Sequence, residues 1–357
     1  MLAALDAAGY GMLAPVLPEI GQQTGTGPGV AGLLVACFGL GQLAGYPVAG
    51  FLGQNRGASW VLRVSLVLLL VGDAAFVLGD GLAVWFPARA VLGVGAAGLW
   101  IGVSFAILEL WPDQAYQRIA GALAAYSAGA IVGPALGAVN GIRAPFMLHA
   151  LVTLAAFLPV LALGAAEARA QIGSDRSVLR TRAFALSAAG IVLIALTIGT
   201  LDGPLPLHFA ERLDQAEIAG LYVLTAVVVA AGAMWAGKVK PVTALVAGAI
   251  LIPIGISVVG ATDAVAAWVP SLAVAGAGFG LGEAGALGIL LAAVPRERIV
   301  TAWVTSAQLW AAGYLIGPAV AGLFAEAFGY AVLGAVPLVG SLLVAFALRS
   351  GSASDRD

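Results

Sequence analysis

Charge is what this sequence has least of. Only 10% of its 357 residues are Asp, Glu, Lys or Arg, against about 25% in an ordinary soluble domain. A chain so poor in charge lacks the polar surface to stay dissolved as a globule. Cysteine occurs once, at Cys37, which excludes an internal disulfide. Histidine occurs twice, so little is on offer for metal ligation, and neither a metal site nor a cofactor is expected. No basic surface interleaved with aromatics points to nucleic acid. No signal peptide is expected ahead of the first apolar segment, which begins at Met1. That segment is short and has no basic flank, which suggests a true N-terminus upstream of Met1.

Apolar residues fill the space that charge leaves: 61% of the chain is hydrophobic and the mean hydropathy is +1.03. A membrane-crossing helix needs roughly 20 mainly apolar residues. Apolar runs between polar breaks predict twelve such helices, near 1–20, 30–52, 60–79, 83–110, 118–139, 144–165, 183–207, 216–237, 241–260, 265–294, 300–324 and 328–348. The predicted class is an all-α polytopic membrane protein. The 49 glycines and 17 prolines would count against soluble helices. Membrane helices tolerate both, because neighbouring helices re-satisfy the backbone.

The least apolar interior stretch, 166–182, parts six spans from six. The expected division is a bundle at 1–165, a linker at 166–182, a second bundle at 183–348 and a tail at 349–357. Thirteen of the sixteen basic residues, among them Arg56, Arg118, Arg180 and Lys238, fall in even-numbered connections or the tail. Positive loops stay in the cytoplasm. Both termini and the linker are therefore expected on the cytoplasmic side of the cell (inner) membrane.

The halves echo each other at an offset of about 183–189 residues. Gly93-Val94-Gly95 matches Gly276-Ala277-Gly278, and Gly133-Pro134-Ala135 matches Gly317-Pro318-Ala319. Pro15 and Pro18 have counterparts in Pro204 and Pro206. Two like halves in one orientation are a signature of parallel-repeat transporters.

Four segments carry a resemblance. LDAAGYGMLAPVLPEI (5–20) resembles the first span of proton-coupled drug antiporters in the major facilitator superfamily, the tetracycline-exporter-like branch. GFLGQNRGASWVL (50–62), with Gly50, Gln54, Arg56 and Gly57, resembles the family's loop motif after span 2. There Gln54 replaces an acidic residue, and Ala58 and Ser59 replace a basic pair. RAVLGVGAAG (89–98) resembles the span 4 motif with its buried arginine. AGAIVGPALG (128–137) resembles the span 5 antiporter motif, which the family associates with export. The resemblance implies a transporter rather than an enzyme.

An ionisable group inside a bilayer costs about 2.5–3.5 kcal/mol or more, so it needs a partner, a wet cavity or a task. Asp6, Arg89, Glu283, Asp202 and Asp73 are the candidates for proton coupling or substrate binding. Asp6 is a titrating carboxylate or an interfacial cap. Arg89 switches carboxylate partners or snorkels to the interface. Glu283, alone among glycines, binds a proton or a cation, or makes a structural hydrogen bond. Asp73 and Asp202 lie nearer span ends. His149 titrates near physiological pH or is simply hydrogen-bonded, and Glu109 is expected to be solvated. Tyr10, Trp100, Tyr126, Trp303 and Trp310 line an aromatic cavity or form interfacial belts. Gly129, Gly133, Pro134 and Gly137, echoed by Gly317 and Pro318, put glycine on one helix face for close packing.

Two dinucleotide-like patterns, Gly93-x-Gly95-x-x-Gly98 and Gly280-x-Gly282-x-x-Gly285, sit inside apolar helices and lack the required strand. Gly232-x-x-x-x-Gly237-Lys238 is followed by Val239 rather than Ser or Thr, so ATP use is not expected. The expected function is proton-coupled efflux of small amphipathic molecules or drugs by alternating access. The partners are a small-molecule substrate, protons and the lipid bilayer, and the protein is expected to be a monomer. Metabolite uptake or facilitated diffusion on the same fold is one alternative. A transport-inactive scaffold or sensor is another.

Overall fold

The computed structural model of the protein describes residues 1–163, 177–295 and 299–354. Residues 164–176, which form most of the linker, lie outside the described residues. So do Arg296, Arg298 and Arg356.

All the regular structure among the described residues is helical. The physical reason is the solvent. In hydrocarbon no water can take a backbone N–H or C=O, so an apolar segment must satisfy its own ladder. The helices are α1 (Leu2–Gly11), α2 (Leu17–Thr24), α3 (Pro28–Arg56), α4 (Ala58–Leu78), α5 (Leu82–Leu110), α6 (Ala115–Gly137) and α7 (Arg143–Leu161). They continue as α8 (Arg182–Asp202), α9 (Leu205–Phe209), α10 (Gln215–Ala236), α11 (Pro241–Gly260), α12 (Val265–Ala293), α13 (Ile299–Phe328) and α14 (Ala335–Ser354).

Among the described residues eleven segments are long and apolar enough to cross a membrane, and their bounds follow the expected runs closely. The first expected span is different. It is broken into α1 and α2 by a short 3-10 turn at Ala14–Val16 that contains Pro15, and Pro18 lies in the first turn of α2. The seventh span breaks in the same way. Gly203 and Pro204 separate α8 from α9, whose first turn holds Pro206. Proline lacks the N–H that would continue the ladder, so each break falls at a proline pair. The last span also starts later than expected, with a 3-10 turn at Tyr330–Val332 ahead of α14.

Burial is inverted relative to a water-soluble protein. Large apolar side chains such as Leu78 and Met234 are 82% and 74% exposed, while aspartates and histidines lie inside. A continuous apolar exterior is what lipid requires.

The described chain forms two compact units. The first comprises 1–26, 37–172 and 213–223, and the second 27–36, 173–212 and 224–357. In the first unit α1 packs on α5, α6 and α7, and α4 packs on α5 and α7. In the second, α8 packs on α12, α13 and α14, and α11 packs on α12 and α14. These are the same pairings one repeat later. The first turns of α10 and α3 group by contacts of their own. Gln215 donates its side-chain amide to the carbonyls of Gly137 (2.7 Å) and Val139 (3.0 Å), at the end of α6. The Gly29 N–H donates to Glu326 Oε2 of α13 at 2.8 Å.

Candidate functional site

The glycine motif sets where the first helix lies. A Cβ added at Gly133 would come within 2.7 Å of the Ala8 carbonyl oxygen, and one at Gly137 within 2.5 Å of the Met12 oxygen. Gly129 meets the Ala4 carbonyl in the same manner. Three glycines one turn apart on α6 thus face three carbonyls one turn apart along α1 and its C-cap Met12. Pro134 in turn packs against Gly11. The second unit repeats the seam. A Cβ at Gly317 would lie 2.9 Å from Leu196 backbone atoms, and Pro318 packs against Gly199 and Gly203. The two dinucleotide-like glycine patterns have the same explanation, since Gly93 abuts Phe38 of α3 and Gly280 abuts Val229 of α10.

With α1 held in place, its carbonyls and carboxylate meet α4, α5 and α7. Asp6 is 6% exposed and is not an interfacial cap, because the N-cap of α1 is Met1. Asp73 and Arg89 are both 0% exposed and His149 is 1% exposed. Asp73, expected nearer a span end, is therefore the most deeply buried carboxylate among the described residues. Its Oδ2 lies 2.8 Å from His149 Nδ1, and its Oδ1 has no hydrogen bond. The other ring nitrogen, His149 Nε2, lies 3.2 Å from the Leu5 carbonyl oxygen. Gly9 makes room for the ring, since a Cβ there would sit 2.6 Å from Nε2.

This geometry decides part of the proton count. A carbonyl oxygen only accepts, so Nε2 carries a hydrogen and donates it to Leu5. The short Asp73–His149 contact then holds one further proton. That proton is either on Nδ1, giving imidazolium and carboxylate, or on Oδ2, giving neutral ring and acid. The pair is net neutral in both forms, and its titration belongs to the pair rather than to either residue.

Arg89 does not snorkel. Its guanidinium sits 4.5 Å from the centre of the Phe38 ring, a cation–π contact strengthened by removal from water, and it lies within electrostatic reach of Asp73. Asp6 is within electrostatic reach of His149 and Tyr46. Phe38, Gln42 and Tyr46 follow one another at helical spacing along α3 and are all buried. Tyr10 packs on Phe38, with ring centres 6.0 Å apart. His149, Gln42 and Tyr46 were not foreseen as members of one site. The spacing of four residues along α3 was the available signal for the last two.

The remaining expected residues fall elsewhere. Trp100 and Tyr126 meet edge to face at 5.6 Å in the first unit and are partly exposed. Trp303 is buried and Trp310 partly exposed in the second unit. Asp202 is buried and accepts a hydrogen bond from the Tyr314 hydroxyl at 3.3 Å. Glu283 is half-buried on α12 and has no hydrogen bond or ion pair to a described residue.

In the loop motif, Gly50 is buried and Gln54 half-buried. Gly57 adopts φ +87° between α3 and α4, a left-handed backbone that favours glycine. Arg56 lies over Trp60 at 5.7 Å. Glu109 is not simply solvated: its Oε2 accepts from the Ala58 N–H at 3.3 Å. It thus places negative charge at the start of α4, where the helix dipole favours it.

These features define a multi-pass, all-α membrane protein of two like helical units, the first holding a buried cluster of acid, base and guanidinium. The chain belongs to the major facilitator superfamily, a family of membrane transporters rather than enzymes, whose sequence profile matches residues 1–311. Over 159 residues it is 29% identical to the quinolone resistance protein NorA of Staphylococcus aureus, covering 43% of this chain and 41% of that protein. Over 160 residues it is 31% identical to multidrug resistance protein 1 of Bacillus subtilis strain 168, again covering 43% and 41%. The match thus spans about two-fifths of the length of these relatives. Among solved structures, a mutant of the nucleoside transporter NupG superposes with a TM-score of 0.77 at 12% identity, covering 98% of this chain and 97% of the other. A bacterial homologue of the human lysosomal transporter Spinster, inward-facing and unoccupied, gives 0.72 at 12% identity, covering 98% and 93%.

Proposed function

We propose that the protein is a proton-coupled exporter of small amphipathic molecules, working by alternating access, with Asp6 as the group that gains and loses the coupling proton. The observation that carries this reading is the charge balance of the buried cluster. Arg89 is permanently charged. The Asp73–His149 pair is net neutral in either of its proton positions. Asp6 is then the one buried carboxylate of the cluster whose charge is free to change. Neutralising it removes the negative charge within reach of His149 and Tyr46, and a two-state carrier responds to any such differential stabilisation by shifting its population. The similarity to a quinolone resistance protein and a multidrug resistance protein supports efflux of drug-like solutes. The distribution of Lys and Arg supports cytoplasmic termini and linker in a cell membrane. We read the chain as two six-helix repeats, 1–165 and 183–348, acting as a monomer.

The test is transport in inverted membrane vesicles with an imposed pH gradient, using a panel of fluorescent cationic and zwitterionic drugs. The wild type accumulates substrate when the gradient is present. Asp6→Asn inserts normally and loses gradient-driven accumulation. Full retention in that variant removes Asp6 from the mechanism. Movement in the opposite direction identifies uptake, and the absence of flux for every solute identifies a transport-inactive scaffold or sensor.

A further inference from the structure

The second unit holds a polar cluster that the transport reading does not use. The short helix α9 ends beside the turn that joins α11 to α12. His208 is 3% exposed and clamped by aromatic rings, stacked on Tyr330 at 4.4 Å and edge-on to Trp268 at 5.2 Å. Its Nε2 lies 3.2 Å from the Thr262 carbonyl oxygen. That oxygen also accepts from Trp268 Nε1 at 2.7 Å, which holds it in place. Because a carbonyl cannot donate, Nε2 carries the hydrogen, and Nδ1 presents its lone pair. Nδ1 is buried and has no hydrogen-bond partner. It points to where Glu211 Oε2 lies 3.9 Å away. The ligand atoms of His208, Glu211 and Asp263 all fall within 4.8 Å of one another.

We propose that His208, Glu211 and Asp263 form a binding site for a divalent transition-metal ion, zinc by preference. An imidazole nitrogen with two carboxylate oxygens is a borderline donor set that suits Zn²⁺ better than Mg²⁺ or Ca²⁺, which prefer oxygen alone. A backbone carbonyl that fixes the far ring nitrogen is the usual device for aiming a histidine at a metal. Ligand atoms about 2.0–2.2 Å from a tetrahedral ion stand roughly 3.3–3.6 Å apart. The cluster is therefore slightly too wide as it stands. The two groups that must close in are the exposed ones, Glu211 and Asp263, while the clamped histidine stays still. Three protein ligands leave the fourth position to water. A bound ion ties the end of the broken seventh span to the α11–α12 turn within the same unit. This departs from the expectation drawn from histidine and cysteine counts alone.

The experiment uses the full chain without a polyhistidine tag, purified in detergent and titrated with zinc chloride by calorimetry. One saturable site per chain is expected. Glu211→Gln and Asp263→Asn each weaken it about tenfold or more, since losing a direct ligand costs at least what losing an outer-shell partner does. The double variant changes two exposed side chains, stays monodisperse and loses saturable binding. Cobalt chloride binds at the same site and quenches tryptophan emission in the wild type, and Trp268→Phe removes most of that quenching. No saturable zinc binding in the wild type overturns the proposal, as does undiminished binding in the double variant. Neither result bears on Asp6.

Discussion

The two units use the same helix pairings to bury different chemistry. In the first, α4 meets α7 through Asp73 and His149, 2.8 Å apart with both side chains inside. The matching pair in the second unit, α11 and α14, meets through the Ser341 hydroxyl, which donates to the Ala249 carbonyl at 2.7 Å. The α1–α6 and α8–α13 seams both rest on glycine against backbone with a proline one residue on. One molecule thus supplies its own control. The packing does not require the Asp73–His149 pair, because the repeat that has a serine at the matching helix contact packs in the same way. Buried ion pairs are weak evidence for stability in any case. The glycines of both units are therefore architectural, and we propose that the charges of the first unit serve function.

Breaking the buried pair from one side gives the largest effect. Asp73→Ala leaves His149 Nδ1 without its partner inside the protein and is expected to cost about 3–5 kcal/mol, read as a lower melting temperature in detergent. Replacing both partners, Asp73→Leu with His149→Leu, is expected to recover most of that stability while gradient-driven transport stays lost. A double variant as unstable as the single one would mean that the pair is structural, and the comparison with Ser341 would fail.

The seams come next. Gly133→Ala and Gly317→Ala each push a methyl group into a facing backbone, and each is expected to cost about 1–3 kcal/mol. Similar losses in the two variants would confirm that the repeats share one packing device. A loss confined to Gly133 would show that only the first seam is under strain.

The smallest effect belongs to the uncharged contacts. Ser341→Ala and Tyr314→Phe each remove one hydrogen bond, at about 0.5–1.5 kcal/mol. A drop in the Ser341 variant as large as that for Asp73→Ala would erase the distinction between the two units.

Much of this could be read along the chain. The spans were legible to within a few residues, because lipid demands roughly 20 apolar residues at a stretch and that demand is local. The proline pairs were legible too, but not the breaks at Ala14–Val16 and Gly203, since apolarity says nothing of whether a ladder is continuous. Asp6 and Arg89 stood out as charges in greasy segments. His149 stood out as well, but its pairing with Asp73 did not, because that partner lies 76 positions away. The contact of Glu109 was not legible for a similar reason: Ala58 is 51 positions away.

What the amino-acid order determined by itself is the class. It is a chain of apolar helices in two like halves, with the motifs of its superfamily, because water and lipid sort residues by composition along short stretches. Tertiary structure alone decided which charges meet. Asp73 finds His149, and the local pair His208 and Glu211 meets Asp263, because helix faces and turns distant in sequence are brought together. Burial then leaves each polar group only the partners that packing supplies.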